Sequence, residues 1–400
     1  MRATVRRLGA LLPAALLVVG FQMGGTPAHS SPQPDLRLAP QSTAISDSWI
    51  VVLKDGATNQ PADTARSLTR EHHGTLGHVY GSALKGFSAK LSRSEAASLA
   101  RDPRVAYVQQ NQTLRITDTQ QNATWGLDRI DQRDLPLNTT YTSNTTASNV
   151  TAYIIDTGIR TSHGEFGGRA SVGTDTVGGG QNGQDCNGHG THVAGTVGGK
   201  TYGVAKGISL VAVRVLDCQG SGTTAGVVAG VDWVTAHAVK PAVANMSLGG
   251  GADTTLDNAV KRSIASGVTY SIAAGNGNIL GMPQDACTTS PARVPEAITV
   301  GATDSTDTRA SWSNYGTCLD LFAPGVSITS SWSTSDTATN TISGTSMATP
   351  HTVGVTALYL ATHPAATPQQ VRDALVNGAT SGKVQNPRTG SPNKLLYSLL

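Results

Sequence analysis

Val150-Thr151-Ala152-Tyr153-Ile154-Ile155-Asp156-Thr157-Gly158 opens as a strand-like apolar run and closes on an acid and a glycine turn. An acid at the C-terminal end of such a strand lies where open α/β sheets place their sites. Further strand-like runs stand at 210–215, 243–248, 268–274 and 297–301. Helical patterns interleave with them at 224–239 and 256–266, and another follows at 368–377. In the helix 224–239, Val227, Val228, Val231 and Val234 form the apolar face. Apolar strands alternating with helices predict an α/β fold, a parallel sheet covered by helices on both faces.

Two later segments supply partners for Asp156. Asn187-Gly188-His189-Gly190-Thr191-His192-Val193-Ala194-Gly195 puts a histidine at a helix start. Gly344-Thr345-Ser346-Met347-Ala348-Thr349-Pro350-His351 puts a serine ahead of Val353, Val355, Ala357, Leu358 and Leu360, which read as a buried helix. A hydroxyl at a helix N-terminus faces backbone N–H groups and a dipole that favour developing negative charge. Gly344 lets another backbone approach. Each residue alone has a plain reading: a turn aspartate, a core histidine, a capping serine. Together, in the order Asp, His, Ser, they supply an orienter, a base and a nucleophile. That order differs from the Ser-Asp-His of α/β-hydrolases and the His-Asp-Ser of chymotrypsin, and no G-x-S-x-G elbow surrounds Ser346, since position 348 is alanine.

These three motifs closely resemble those of the subtilisin-like serine proteases, in particular the aqualysin-type enzymes of the proteinase K branch. The resemblance runs from about Trp49 to the C-terminus. It implies peptide-bond hydrolysis with Ser346 attacking the carbonyl, His189 moving the proton and Asp156 holding the imidazole. In Ala273-Ala274-Gly275-Asn276-Gly277-Asn278, Asn276 matches the family's oxyanion asparagine. Gly277 departs from a position where the proteinase K pattern often has asparagine. Ser221, Gly222, Ser247, Leu248, Gly249 and Gly250 match the segments that flank substrate, with Ala273, Ala274 and Gly275 beside them. Main-chain pairing with an extended substrate does not read side chains, so broad specificity is expected. The small residues leave a P1 pocket for apolar or aromatic side chains, and the lack of acids there argues against processing at basic residues. Pro295 and Ala297 (backbone oxygens) and Asp320 (carboxylate) match the proteinase K calcium site, so a structural Ca²⁺ is implied and no cofactor for catalysis.

The N-terminus reads as an export signal over 1–28: Arg2, Arg6 and Arg7, an apolar stretch at 8–21, and Thr26-Pro27-Ala28 for cleavage. A Pro/Ser/Gln-rich linker is expected over 29–47. The pattern over 48–117 reads as β-α-β-α-β and resembles the inhibitor-type propeptide of subtilases, which folds the enzyme, then inhibits it. The tail Leu114-Arg115-Ile116-Thr117 would lie in the cleft as the first product, with cleavage near Thr117–Asp118. Trp125-Gly126-Leu127-Asp128-Arg129-Ile130-Asp131 resembles the start of mature aqualysin-type enzymes, giving a peptidase domain over 118–400. Residues 1–117 carry 13 basic against 7 acidic residues, +6, and the remainder 16 against 19, −3. The net charge of +3 therefore belongs to the part expected to be removed. With no basic run in the mature part and 4% aromatic residues, no nucleic-acid partner is expected. No stretch is suited to a membrane span, and a secreted monomer acting on proteins and peptides is expected.

Export makes disulfides the leading reading of Cys186, Cys218, Cys287 and Cys318, for which three pairings are possible. The aqualysin-type resemblance favours Cys186–Cys218 and Cys287–Cys318. A zinc site on Cys186, His189 and His192 is the rival, without a second ligand pair at finger spacing. An aspartic peptidase would need a second Asp-Thr-Gly, which the chain lacks. A non-catalytic scaffold would be expected to have lost a triad residue, and none is lost. Behind the serine, Val353 is bulkier than the family's usual alanine and His351 reads as structural. Asn-X-Ser/Thr triplets occur at Asn111, Asn122, Asn138, Asn144, Asn149 and Asn245, the last reading as coincidental because it falls on a buried strand.

Overall fold

The computed structural model describes residues 35–39, 44–112 and 118–399. The chain forms two compact units that divide after Leu114. The export signal and the tail 114–117 lie outside the described residues.

In the first unit, a five-stranded sheet has the order Leu36–Arg37, Val105–Gln112, Ala44–Leu53, Gly86–Lys90, Thr75–Tyr80. Helices Pro61–Glu71 and Arg93–Leu99 complete it. Its core holds Trp49, Val51, Leu68, Phe87, Leu99 and Val108. Trp49 satisfies its buried indole N–H on the Leu91 carbonyl at 3.0 Å. The second helix starts where Ser92 accepts the Glu95 N–H, an N-cap bond. The strand Thr75–Tyr80 was not anticipated, so the stretch 44–112 is β-α-β-β-α-β. It is an edge strand, largely exposed, with Gly77 and His78 in its middle, and therefore lacks the alternation that marks a half-buried strand. Part of the stretch expected to be a linker is also paired: Leu36 and Arg37 lie beside Val108 and Gln109, and the long strand already begins at Ala44.

The second unit is built on a nine-stranded sheet. Its strands are β1 (Thr151–Asp156), β2 (Ala170–Asp175), β3 (Ser209–Arg214), β4 (Ala242–Met246), β5 (Thr269–Ala273), β6 (Ile298–Thr303), β7 (Leu321–Pro324), β8 (Thr380–Ser381) and β9 (Lys394–Leu395). The order is β8-β9-β7-β6-β5-β4-β1-β3-β2, parallel throughout except for β8 against β9. The longer helices are α1 (His189–Gly198), α2 (Thr224–His237), α3 (Thr254–Ala265), α4 (Thr345–Thr362) and α5 (Pro368–Gly378), and a short helix, Trp125–Ile130, precedes β1.

Strand β1 explains the layering. Its side chains alternate, so Ala152 and Ile154 join the cluster with Val193 and Val197 of α1 and Val355 and Leu358 of α4. Tyr153 and Ile155 join the other cluster, with Val231 and Val234 of α2 and Val260 of α3. Both faces of β1 are therefore dry, which is why its sequence is continuously apolar. Chain order reverses around β1: β2 and β3 lie to one side, β4 to β7 to the other. Such a reversal opens a crevice at the carboxyl ends of the strands, where Asp156 stands. The short strand β7 was not anticipated, since its four residues end at Pro324 and carry no period.

Candidate active site

Asp156 is fully buried at the end of β1. Its Oδ1 accepts from His189 Nδ1 at 2.8 Å and from the Thr157 N–H at 2.7 Å. The Nδ1 contact fixes which imidazole nitrogen carries the proton and leaves Nε2 as the acceptor. His189 is the first residue of α1, and its side chain is 25% exposed. Burial pulls its pKa down. The charge of Asp156, the hydrogen bond to it and the charge of Asp185 push the other way and leave it above the ordinary histidine value.

The loop before α1 is shaped by Asp185, a residue that sequence reading did not single out. Its Oδ1 accepts from the Thr157 hydroxyl and the N–H groups of Asn187 and Gly188, each at 2.9 Å. Its Oδ2 accepts the Thr191 N–H at 2.9 Å and the Thr191 hydroxyl at 2.6 Å. One buried carboxylate thus ties the end of β1 to the start of α1. Only a glycine fits at 190, because a Cβ there would stand 2.1 Å from the Gly158 carbonyl oxygen. The zinc reading of this segment is overturned: Cys186 is bonded to Cys218, and Cys287 to Cys318. His192 is buried, its Nε2 bonded to the Ile328 carbonyl at 3.0 Å, and burial pulls its pKa down to about 4.

Ser346 occupies the first turn of α4. Its hydroxyl donates to the Ser247 carbonyl at 3.2 Å, and the Ser247 hydroxyl donates to the Ser346 carbonyl at 2.9 Å. Asn276 follows the end of β5. Its Oδ1 accepts both the Thr345 N–H, at 2.8 Å, and the Thr345 hydroxyl, at 2.9 Å. Because a backbone N–H can only donate, this contact fixes the amide orientation and leaves Nδ2 to donate elsewhere. Thr345 also accepts the Gly275 N–H on its hydroxyl at 3.1 Å.

Two cavities flank these groups. One, of about 700 Å³, is lined by His189, Ser221, Gly222 and the stretch 247–253. The other, of about 400 Å³, is lined by Ala273, Ala274, Gly275, Asn276 and Ser346 and contains no acidic residue. Leu248, Gly249 and Gly250 form a wall common to both. Every residue expected to flank substrate therefore lines one cavity or the other.

The expected calcium ligands share a corner near the starts of β6 and β7. There Asp320 is nearly buried, its Oδ2 accepting the Thr299 N–H at 2.8 Å and its Oδ1 the Arg372 guanidinium at 2.5 Å. Both carboxylate oxygens are thus engaged, and Arg372 already supplies the positive charge. A calcium ion held by the Pro295 and Ala297 carbonyls and by Asp320 would share that carboxylate with Arg372 or displace the guanidinium from Oδ1. Among the described residues no group of three or more His, Cys, Asp or Glu side chains could hold a metal. His351 is buried with Nδ1 on the Met347 carbonyl at 2.9 Å, and Val353 is buried in the core. Asn245 is buried on β4 and bonded to Ser247, so its triplet is closed to modification as folded.

A parallel sheet with helices on both faces and a buried acid paired with a helix-start histidine define a class, the subtilisin-like α/β hydrolytic fold. Residues 147–393 match the subtilase family model, and residues 48–117 match the peptidase inhibitor I9 model. The chain belongs to the subtilase family of serine proteinases. It is 53% identical to the extracellular serine proteinase of Thermus sp. (strain Rt41A), across 98% of this chain and 100% of that protein. It is 50% identical to the alkaline serine exoprotease A of Vibrio alginolyticus, across 91% of this chain and 70% of that protein. The crystal structure of a cold-adapted subtilisin-like serine proteinase superposes with a TM-score of 0.67 at 57% identity, covering 70% of this chain and 99% of that one.

Proposed function

We propose that the chain is a secreted serine endopeptidase of broad specificity that releases itself from its own N-terminal segment. The observation that carries this reading is the 2.8 Å bond from buried Asp156 to His189, beside cavities lined by His189 on one side and Ser346 and Asn276 on the other. An extended polypeptide pairs along 221–222 and 247–250, with an apolar P1 side chain in the acid-free cavity. The Ser346 hydroxyl turns from the Ser247 carbonyl to His189 Nε2, gives up its proton and bonds to the scissile carbonyl carbon. Negative charge then forms on the carbonyl oxygen, where Asn276 Nδ2–H and the Ser346 N–H donate. The imidazolium, held by Asp156, returns its proton to the departing amine, and water repeats the sequence on the acyl-enzyme.

The proposed organisation is an export signal over 1–28, a stretch over 29–47 whose residues 36–37 and 44–47 join the sheet of the first unit, an I9-type propeptide over 48–117 and the peptidase over 118–400. The match of residues 48–117 to the I9 inhibitor family, the apolar N-terminal stretch and the similarity to the extracellular serine proteinase of Thermus support it. Intact mass of the secreted product tests it, with Ser346→Ala alongside in a protease-deficient host. Loss of roughly the first 117 residues in wild type only is the expected result. Full-length product from both would sink self-processing.

A further inference from the structure

Between Asn276 and the Cys287–Cys318 bond the chain makes a loop that the chemistry does not use. Its tip carries Ile279, 102% exposed, Leu280, 79%, and Met282, 59%. Ile279 and Leu280 are the two most exposed large apolar side chains among the described residues. The loop is nonetheless built. Asn278 donates its N–H to the Met282 carbonyl at 2.9 Å, and its Oδ1 accepts the N–H groups of Leu280 and Met282 at 3.0 and 3.1 Å. At the base, Asn314 Oδ1 accepts from both feet, Gly277 at 3.1 Å and Gln284 at 2.8 Å, while its Nδ2 donates to the Ala274 carbonyl at 2.8 Å. The apolar tip is thus clamped to the wall of the cavity that holds Ser346, and Asn278 itself lines that cavity.

A clustered apolar patch in water marks a contact surface. Resting on the proposed peptidase reading, we infer that the 279–282 tip binds apolar side chains of an unfolded polypeptide substrate, beyond the residue seated in the cavity. Three residues of chain reach at most roughly 10 Å, so the tip stays close to Asn276 and to any polypeptide held there. Three side chains offer on the order of a few hundred Å², short of the roughly 600 Å² or more that each partner contributes to a stable dimer interface. The patch therefore suits a substrate that the cleft already holds. Contacts remote from the scissile bond lower KM for long substrates and leave a short peptide unaffected.

The test compares wild type with the triple variant I279S/L280S/M282S on a reduced, alkylated protein and on a short apolar chromogenic peptide. The expected result is a KM for the unfolded protein raised about fivefold, with kcat for it, and both constants for the peptide, within about twofold. In the mature enzyme inactivated at Ser346 by a small fluorophosphonate, affinity for the unfolded protein falls by the same factor. The inference is overturned if KM for the protein does not move, or if both substrates suffer alike, which would make the loop a mere support for the cavity wall. It is also overturned if wild type sediments as a dimer that the variant dissociates, since the occupant would then be a second copy. Failure of wild type to cleave either substrate would sink the peptidase reading instead.

Discussion

The two sides of the cleft are fixed by opposite chemistry. On the His189 side the anchors are buried carboxylates: Asp156 on the imidazole, and Asp185 on the loop and the helix start. On the Ser346 side the anchors are neutral: the Asn276 amide, the Thr345 and Ser247 hydroxyls and backbone groups. Negative charge stands where the proposed mechanism forms an imidazolium and is absent where it forms an oxyanion. In a poorly solvated site an anion beside the oxyanion would raise the barrier as much as it lowers it beside the imidazolium. The same division assigns pH dependence to one side only.

Substitutions can break that division. The largest effect is expected from Ser346→Ala, a fall on the order of 10⁶-fold in kcat, the loss known for this nucleophile in subtilisin, a member of the same family; loss of fluorophosphonate labelling checks it. Asp156→Asn should cost about 10⁴-fold near neutral pH and also move the pH profile. His189 must be neutral to accept a proton, so activity falls as pH drops through its pKa, which lies above the ordinary value. Removing the Asp156 charge lowers that pKa, so the acid limb shifts to lower pH. Asn276→Ala should lower kcat by about 10²–10³-fold, again a range borrowed from subtilisin, and leave the acid limb in place. A shifted limb in Asn276→Ala, or an unshifted one in Asp156→Asn, would erase the contrast. Asp185→Asn should move the limb in the same direction as Asp156→Asn but by less, and lower stability by about 2 kcal/mol by leaving buried donors poorly paired, read from denaturant midpoints. Smallest for activity is Arg372→Gln, which strands the Asp320 carboxylate. Melting temperature should fall with kcat unchanged, and added calcium should restore more of it than it adds to wild type.

What the sequence made legible depended on how local the cause was. Strand β1 was readable because both of its faces are dry, and the three motif segments because each carries its chemistry within a few residues. The strands Thr75–Tyr80, β2, β7, β8 and β9 were not, since exposed edges and strands of two to four residues leave no periodic signal. Asp185 was missed because its part is set by partners as distant as Thr157, 28 positions back. The Arg372–Asp320 pair spans 52 positions, and only the folded chain shows the guanidinium already at the carboxylate.

The Cys186–Cys218 bond is placed so that it does more than close a loop. Cys186 sits between Asp185 and Asn187, whose amide also donates to the Cys218 carbonyl at 3.0 Å, and Cys218 leads into the wall at Gln219, Gly220 and Ser221. A single covalent clasp therefore joins the base's support to the substrate's wall. Where thiols are kept reduced this clasp does not form, and the two segments lose their covalent link. Passage into an oxidising exterior closes it. The bond thus links the support of His189 and the wall at 219–221 to the redox state of the surroundings.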